Sequence, residues 1–157
     1  MTDESGGYFI LLPELAGHWV ASPADGDTCV FDTWLGDDVV RAHPLVLVTT
    51  PVKEALEQLQ SSSGFTVGPV GCETSLFFRR HNPGRQLPTF WAVHVNGEAG
   101  SDDVGLARDG SVVISRRVLD LLMRFRIKQA VLAQYAVVSM EGGQSLGVTK
   151  GAGAAER

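Results

Sequence analysis

The sequence predicts an α+β fold in which a mixed β-sheet carries two amphipathic helices in a repeated strand–helix unit, and three observations carry that reading. First, Leu47, Val48 and Thr49 lead into Val52, Ala55, Leu56 and Leu59, and the same succession returns as Val113, Ile114 and Ser115 leading into Val118, Leu121, Leu122 and Phe125. In both places a β-branched run meets a hydroxyl residue, and apolar side chains then recur at i, i+3, i+4 and i+7, one face of an α-helix. Second, the rest of the chain consists of short β-branched or alternating runs separated by turn residues. Third, at 157 residues a single domain buries about 68–70% of its unfolded surface, enough for a core without staples. Short strands with two separated helices favour α+β. A strand–helix–strand path taken twice also permits right-handed parallel crossovers, which would move the class toward α/β.

The folded domain is expected over residues 8–140. Residues 1–7 are polar and Gly-containing and are expected to fray, and residues 141–157 are rich in Gly, Ala and Ser and are expected to be disordered. Tyr8 to Leu12 reads as a first strand stopped by Pro13. Trp19 and Val20, the turn residues Ser22 to Asp27, and the alternating run Cys29 to Leu35 read as a hairpin-like β region. Gly36, Asp37 and Asp38 break it, and Val39 to Arg41 lead into the first unit.

In that unit Leu45 to Thr49 is a buried-strand candidate, Thr50 is the expected N-cap, and Pro51 sits where proline is tolerated because the first helical N–H lacks a partner. Ser61 to Gly64 should stop the helix. Phe65 to Val70, Ser75 to His81 and Leu87 to Val95 then read as three strands, the last followed by an Asn96-Gly97 turn signal. Within it Phe90, Ala92 and His94 share one face and Trp91, Val93 and Val95 the other. Gly100 to Gly110 reads as a polar loop, Ser111 to Ile114 opens the second unit with Ser115 as helix cap, and Ala130 to Ser139 is the last expected strand.

The formal net charge of −5 is unevenly placed, with residues 1–75 at −9 and residues 76–157 at +4. If its acids cluster in space, such a chain presents an acidic face to a basic partner and speeds encounter by steering. Cys29 and Cys72 stand far apart and outside any CxxC spacing, which reads as reduced thiols in an intracellular protein. The N-terminus carries Asp3 and Glu4 where a secretory signal would carry Lys or Arg, and the apolar runs are strand-sized. A cytoplasmic location is therefore expected.

Specific chemistry is sparse. His18, His43, His81 and His94 lack the close spacing of metal ligands, no GxSxG elbow presents a serine, and no glycine-rich strand-to-helix junction suits a nucleotide. No metal, cofactor or catalytic residue is expected. The pairs Asp25 and Asp27, Asp37 and Asp38, and Asp102 and Asp103 lie in turn-like surroundings where aspartate bonds its local backbone. His94 reads as a partly buried structural histidine, and Cys72 as a small residue at a strand start. Phe77 to Arg85 is the best polar constellation, since Arg79, Arg80 and Arg85 beside aromatic residues suit a nucleic-acid or phosphate contact, although a strand ending in a turn explains the same residues.

The stretch Gln86, Leu87, Pro88, Thr89, Phe90, Trp91, Ala92, Val93, His94, Val95, with Asp102 and Asp103 and then Val112 to Leu122, resembles the C-terminal half of a loose group of small bacterial immunity proteins encoded beside polymorphic or type VI secreted toxins. In that group a proline-preceded strand, an acidic loop and a "VISxRVxxLL" strand–helix recur, and the resemblance covers about residues 45–138. The paired CxxC motifs of some members are absent here, and with them any metal inference. The resemblance implies a binding protein that occludes the active site of one cognate toxin in the cytoplasm. The acidic half suits a basic toxin, with Asp25, Asp27, Asp32, Asp37 and Asp38 as candidate contacts. Two rivals rest on other residues: an enzyme using Cys72 with His81 or His94, and a nucleic-acid- or small-ligand-binding module using Arg79, Arg80 and Arg85. An adaptor subunit of a larger assembly needs no diagnostic motif and stays open.

Overall fold

The computed structural model describes residues 7–21 and 28–136. Asp25 and Asp27, the N-terminal residues before Gly7, the end of the last expected strand and the expected tail at 141–157 lie outside the described residues. Among the described residues eleven strands and three helices follow in the order β1 (Tyr8–Leu12), β2 (Glu14–Val20), β3 (Thr28–Phe31), β4 (Val39–His43), β5 (Leu45–Thr49), α1 (Thr50–Glu57), β6 (Phe65–Pro69), β7 (Gly71–Thr74), α2 (Leu76–His81), β8 (Phe90–Val95), β9 (Val104–Leu106), β10 (Val112–Ser115), α3 (Arg116–Leu122) and β11 (Val131–Tyr135). They form a four-stranded sheet, β11-β1-β10-β9, and a seven-stranded mixed sheet, β6-β8-β5-β4-β2-β3-β7. The broad α+β class holds.

Strand directions follow from the pairings. β6 and β5 are each antiparallel to β8, so they run parallel to one another with β8 between them. β10 and β11 are each antiparallel to β1, so they stand in the same relation around β1. The helices α1 and α3 make these two crossovers, one in each sheet. Among the described residues the parallel strand pairs are β2–β4 and β3–β7, in the other half of the larger sheet.

The seven-stranded sheet separates two cores, and the period of its central strands assigns each side chain. In β8, Phe90 and Ala92 enter one core while Trp91, Val93 and Val95 enter the other. In β5, Leu47 joins the first and Val46 and Val48 the second; this strand is buried on both faces, as its unbroken apolar sequence requires. The larger core lies against the four-stranded sheet and closes over α1 through Val52 and Leu56 and over α3 through Val118, Leu119, Leu121 and Leu122. Phe78 of α2 plugs the smaller one beside Phe31 and Phe90, whose rings lie 5.0 Å apart. A glycine is needed at position 17, where β2 bulges between Leu15 and Gly17 and a Cβ would collide with the Val30 carbonyl.

Several expectations are corrected. Ser75 to His81 is not a strand: the Ser75 hydroxyl accepts from the Phe78 N–H at 3.1 Å and starts α2, leaving Leu76 and Phe77 exposed and only Phe78 buried. The basic last turn of Arg79, Arg80 and His81 faces the negative end of that helix. There are thus three helices among the described residues, not two. The cap of α1 is Thr49 rather than Thr50, and neither hydroxyl caps: Thr49 Oγ1 donates to Asp38 at 3.1 Å, and Thr50 Oγ1 accepts from the Trp91 indole at 2.9 Å. β2 extends back to Glu14, the polar loop at 100–110 contains β9, and the third β run begins at Phe90 rather than Leu87. Ser115 caps α3 as expected, accepting from the Val118 N–H at 3.4 Å.

Candidate functional site

Of the acids expected to face a partner, the three that are described, Asp32, Asp37 and Asp38, do not form one exposed surface. Asp37 is fully buried, and its carboxylate accepts from the backbone amides of Lys128 at 3.0 Å and Gln129 at 2.7 Å. Asp38 accepts from the Arg126 N–H at 2.9 Å and from Thr49, while its own N–H donates to the Arg126 carbonyl at 2.7 Å. The two carboxylates dock the segment that follows α3 onto the turn before β4. Gly36 makes that turn possible, with φ +107° and the Arg126 guanidinium 3.2 Å from where a Cβ would stand. Asp32 remains half-exposed, 3.7 Å from His18. Of the candidate contacts that are described, only Asp32 offers a carboxylate without a buried structural task.

Near these acids Glu14 is buried. One of its carboxylate oxygens accepts from the Leu35 N–H at 2.8 Å, and the other has no hydrogen-bond partner among the described residues. Desolvation raises its pKa against the Leu35 bond; Asp37 adds to the rise and Arg85 opposes it.

Asp103, in the acidic loop before β9, ties that loop to the start of α3 and to the segment after α1. Its carboxylate accepts from Ser115 Oγ at 2.7 Å, from Arg117 Nε and Nη2 at 3.0 Å each, and from the Ser63 N–H at 3.1 Å. Burial pushes its pKa up, but the Arg117 guanidinium and Ser115 hydroxyl more than offset that and hold it below the usual carboxylate range. The hydroxyl that caps α3, the first-turn arginine and the acidic loop are therefore one charge-assisted network.

A polar concavity lies beside β7, an edge of the larger sheet. It is an open groove of about 600 Å³ lined by Cys72, Glu73, Thr74, Arg79, Arg85, Gln86 and Leu87. Two of the three arginines singled out in the sequence meet there, and each guanidinium is fixed by a different contact. Arg79 Nη1 donates to the Thr74 carbonyl and reaches the Thr74 hydroxyl at 3.3 Å. Arg85 stacks on the Trp34 ring, 4.6 Å from its centroid. Trp34 is itself held, donating from its indole to the Asp37 carbonyl at 2.8 Å and meeting Phe90 edge-on. Arg80 is exposed and lies outside the groove lining. A second cavity, about 30 Å³, lies within the larger core and is lined only by apolar side chains, so it suits neither a polar ligand nor an ordered water.

The residues of the enzyme alternative, Cys72, His81 and His94, lie on β7, α2 and β8. Burial pushes the Cys72 thiol up to about 11, away from the thiolate a nucleophile needs. His81 is held against α2 by its Nδ1 contact to the Phe77 carbonyl at 2.9 Å and by stacking on the Phe77 ring at 4.0 Å. His94 is exposed on β8 rather than partly buried, its ring lying over Gly68 of β6. Among the described residues no group of three or more His, Cys, Asp or Glu side chains is arranged to hold a metal ion, and no helix is long and apolar enough to cross a membrane. Comparison with family models, with curated proteins and with solved structures returns no match.

Proposed function

We propose that this chain is a non-catalytic, cytoplasmic binding protein of the immunity type, which captures one cognate bacterial toxin and neutralises it by covering its active site. The observation that carries this reading is the Asp103 network: the acidic loop and the strand–helix that resemble immunity proteins are joined through Ser115 and Arg117 into one hydrogen-bonded unit. A rigid scaffold with open sheet edges is what a capture protein requires, since order present before binding lowers the entropic cost of association.

In this reading the toxin is basic, and steering by the acidic half of the chain hastens its capture. Asp32, with Asp25 and Asp27, makes the contacts, whereas Asp37 and Asp38 act by holding the segment after α3. We also read the two crossovers through α1 and α3 as copies of one strand–helix unit. An alternative reading, binding of an anionic small ligand or a nucleic acid, draws on the two positioned guanidinium groups of Arg79 and Arg85. Affinity capture of the tagged chain from its native lysate at physiological salt, followed by mass spectrometry, separates them. One dominant stoichiometric protein bearing a toxin-like domain supports the immunity reading. Recovery of nucleic acid or a small anion, with no protein, replaces it with the alternative.

A further inference from the structure

The groove beside β7 has features that neither an acidic capture face nor a structural role accounts for. β7 pairs with β3 on one side only among the described residues, in the register Thr28–Gly71 to Phe31–Thr74. The Ser75 N–H donates to the Phe31 carbonyl at 2.9 Å. The two-residue alternation of a strand then directs the backbone groups of Gly71 and Glu73 toward β3 and those of Cys72 and Thr74 outward. Thr74 has its carbonyl taken by Arg79. What remains on the outer side is the N–H and C=O of Cys72 and the N–H of Thr74, the unpaired row that an edge strand offers to another chain.

Across the groove from that row stands the 85–87 segment, with Arg85 and Gln86. Both guanidinium groups are ordered before any ligand arrives, Arg79 by Thr74 and Arg85 by the face of Trp34. Stacking occupies the face of the Arg85 fork and leaves its in-plane N–H donors available. With Glu73 in the lining, the groove carries one net positive charge in a chain whose total is −5. Its volume falls within the range of about 300–1,000 Å³ typical of ligand sites.

We propose that this groove is a docking site for an acidic, extended segment of a partner protein, which adds to the free edge of β7 and places carboxylates on Arg79 and Arg85. The alternating donors and acceptors of the edge match a peptide main chain, and the paired guanidinium forks match carboxylates. A nucleic-acid strand would bring phosphates past Glu73 and toward a strongly acidic chain, and it has no main chain to pair with β7. Asp32 is not among the residues lining the groove, and the proposal does not depend on the immunity reading.

A random linear peptide library displayed on phage, panned against the full chain with the Arg85→Glu chain as counter-target, tests it. Enriched peptides should carry Asp or Glu at alternate positions. The best of them should bind at least about tenfold more weakly to Arg79→Gln and to Arg85→Glu, in line with losing a charge-assisted fork, while thermal unfolding of the variants stays intact. Arg85→Lys, which keeps the charge and loses the flat fork, should fall between. Hydrogen exchange should show the Cys72 and Thr74 amides protected on binding. Enrichment indifferent to both arginines, or peptides without acidic residues, overturns the proposal. Binding that leaves those two amides unprotected overturns strand addition, and oligo-dT binding that depends on Arg85 in place of peptide binding assigns the groove to nucleic acid.

Discussion

Asp37 holds the backbone amide of Gln129 at 2.7 Å from 92 residues away in the chain. With the Lys128 amide on its other oxygen, this buried carboxylate is the anchor of the segment between α3 and β11. Removing it in Asp37→Ala strips two charge-assisted bonds and should cost about 2–3 kcal/mol in chemical denaturation. Asp37→Asn, which keeps one acceptor, should cost less. The Arg126 guanidinium, 4.0 Å away and half-exposed, adds little. Faster amide exchange at Lys128 and Gln129 in Asp37→Ala would locate the loss in this segment.

The Asp103–Arg117 pair gives a pH dependence of known sign. Because the folded pKa of Asp103 is held below its ordinary value, its contribution to stability is complete above about pH 4 and is lost as pH falls through the folded value. A double-mutant cycle of Asp103→Ala and Arg117→Ala should return a coupling of about 1 kcal/mol at neutral pH, since Arg117 is partly exposed, and a coupling near zero in acid. A coupling that does not fall in acid would show that charge is not its source.

Glu14 should behave in the opposite sense. Its folded pKa is raised, chiefly by desolvation, so the stability linked to it is fully present below about pH 4 and declines as pH rises through the folded value. Glu14→Gln removes that decline. The variant should gain on the parent progressively from acid toward neutral pH in parallel denaturation series, and a constant difference between the two would contradict the burial argument.

Cys72 should alkylate slowly at neutral pH. With the thiol pushed up to about 11, its reaction with iodoacetamide should accelerate only as pH approaches that value, well above the range of an ordinary thiol. Rapid, selective labelling at pH 7 would return weight to a nucleophilic cysteine.

The legible parts of the fold were those whose pattern admits one reading. Alternation in Phe90 to Val95 places each apolar side chain in the correct core, and the Ser115 cap follows from a hydroxyl between a β-branched run and a helical stripe. Ser75 to His81 was ambiguous because Leu76, Phe77 and Phe78 form a short apolar run whose period distinguishes nothing; the cap residue Ser75 was the available signal. β2 was obscured by Gly17 and His18, which interrupt its apolar pattern at the bulge, and β9 is only three residues within a polar stretch. The aspartates read differently. Turn chemistry explains Asp102, which accepts from the Glu98 N–H four residues back, but Asp37 and Asp38 bind a segment about ninety residues on. Nothing local announces such a contact. Arg79, Arg80 and Arg85 were visible as a basic cluster, whereas the exclusion of Arg80 from the groove and the Trp34 face that orders Arg85 depend on folding alone.

The proposed role, neutralisation of a partner by covering its active site, predicts a stoichiometric loss of that partner's activity. The most direct measurement is a titration of the captured partner's activity with purified chain. Occlusion gives a linear fall to zero that is complete at an equimolar ratio, with Asp32→Lys slowing association more at low salt than at high salt. A stable complex in which the partner keeps full activity would contradict occlusion and identify the chain as an adaptor.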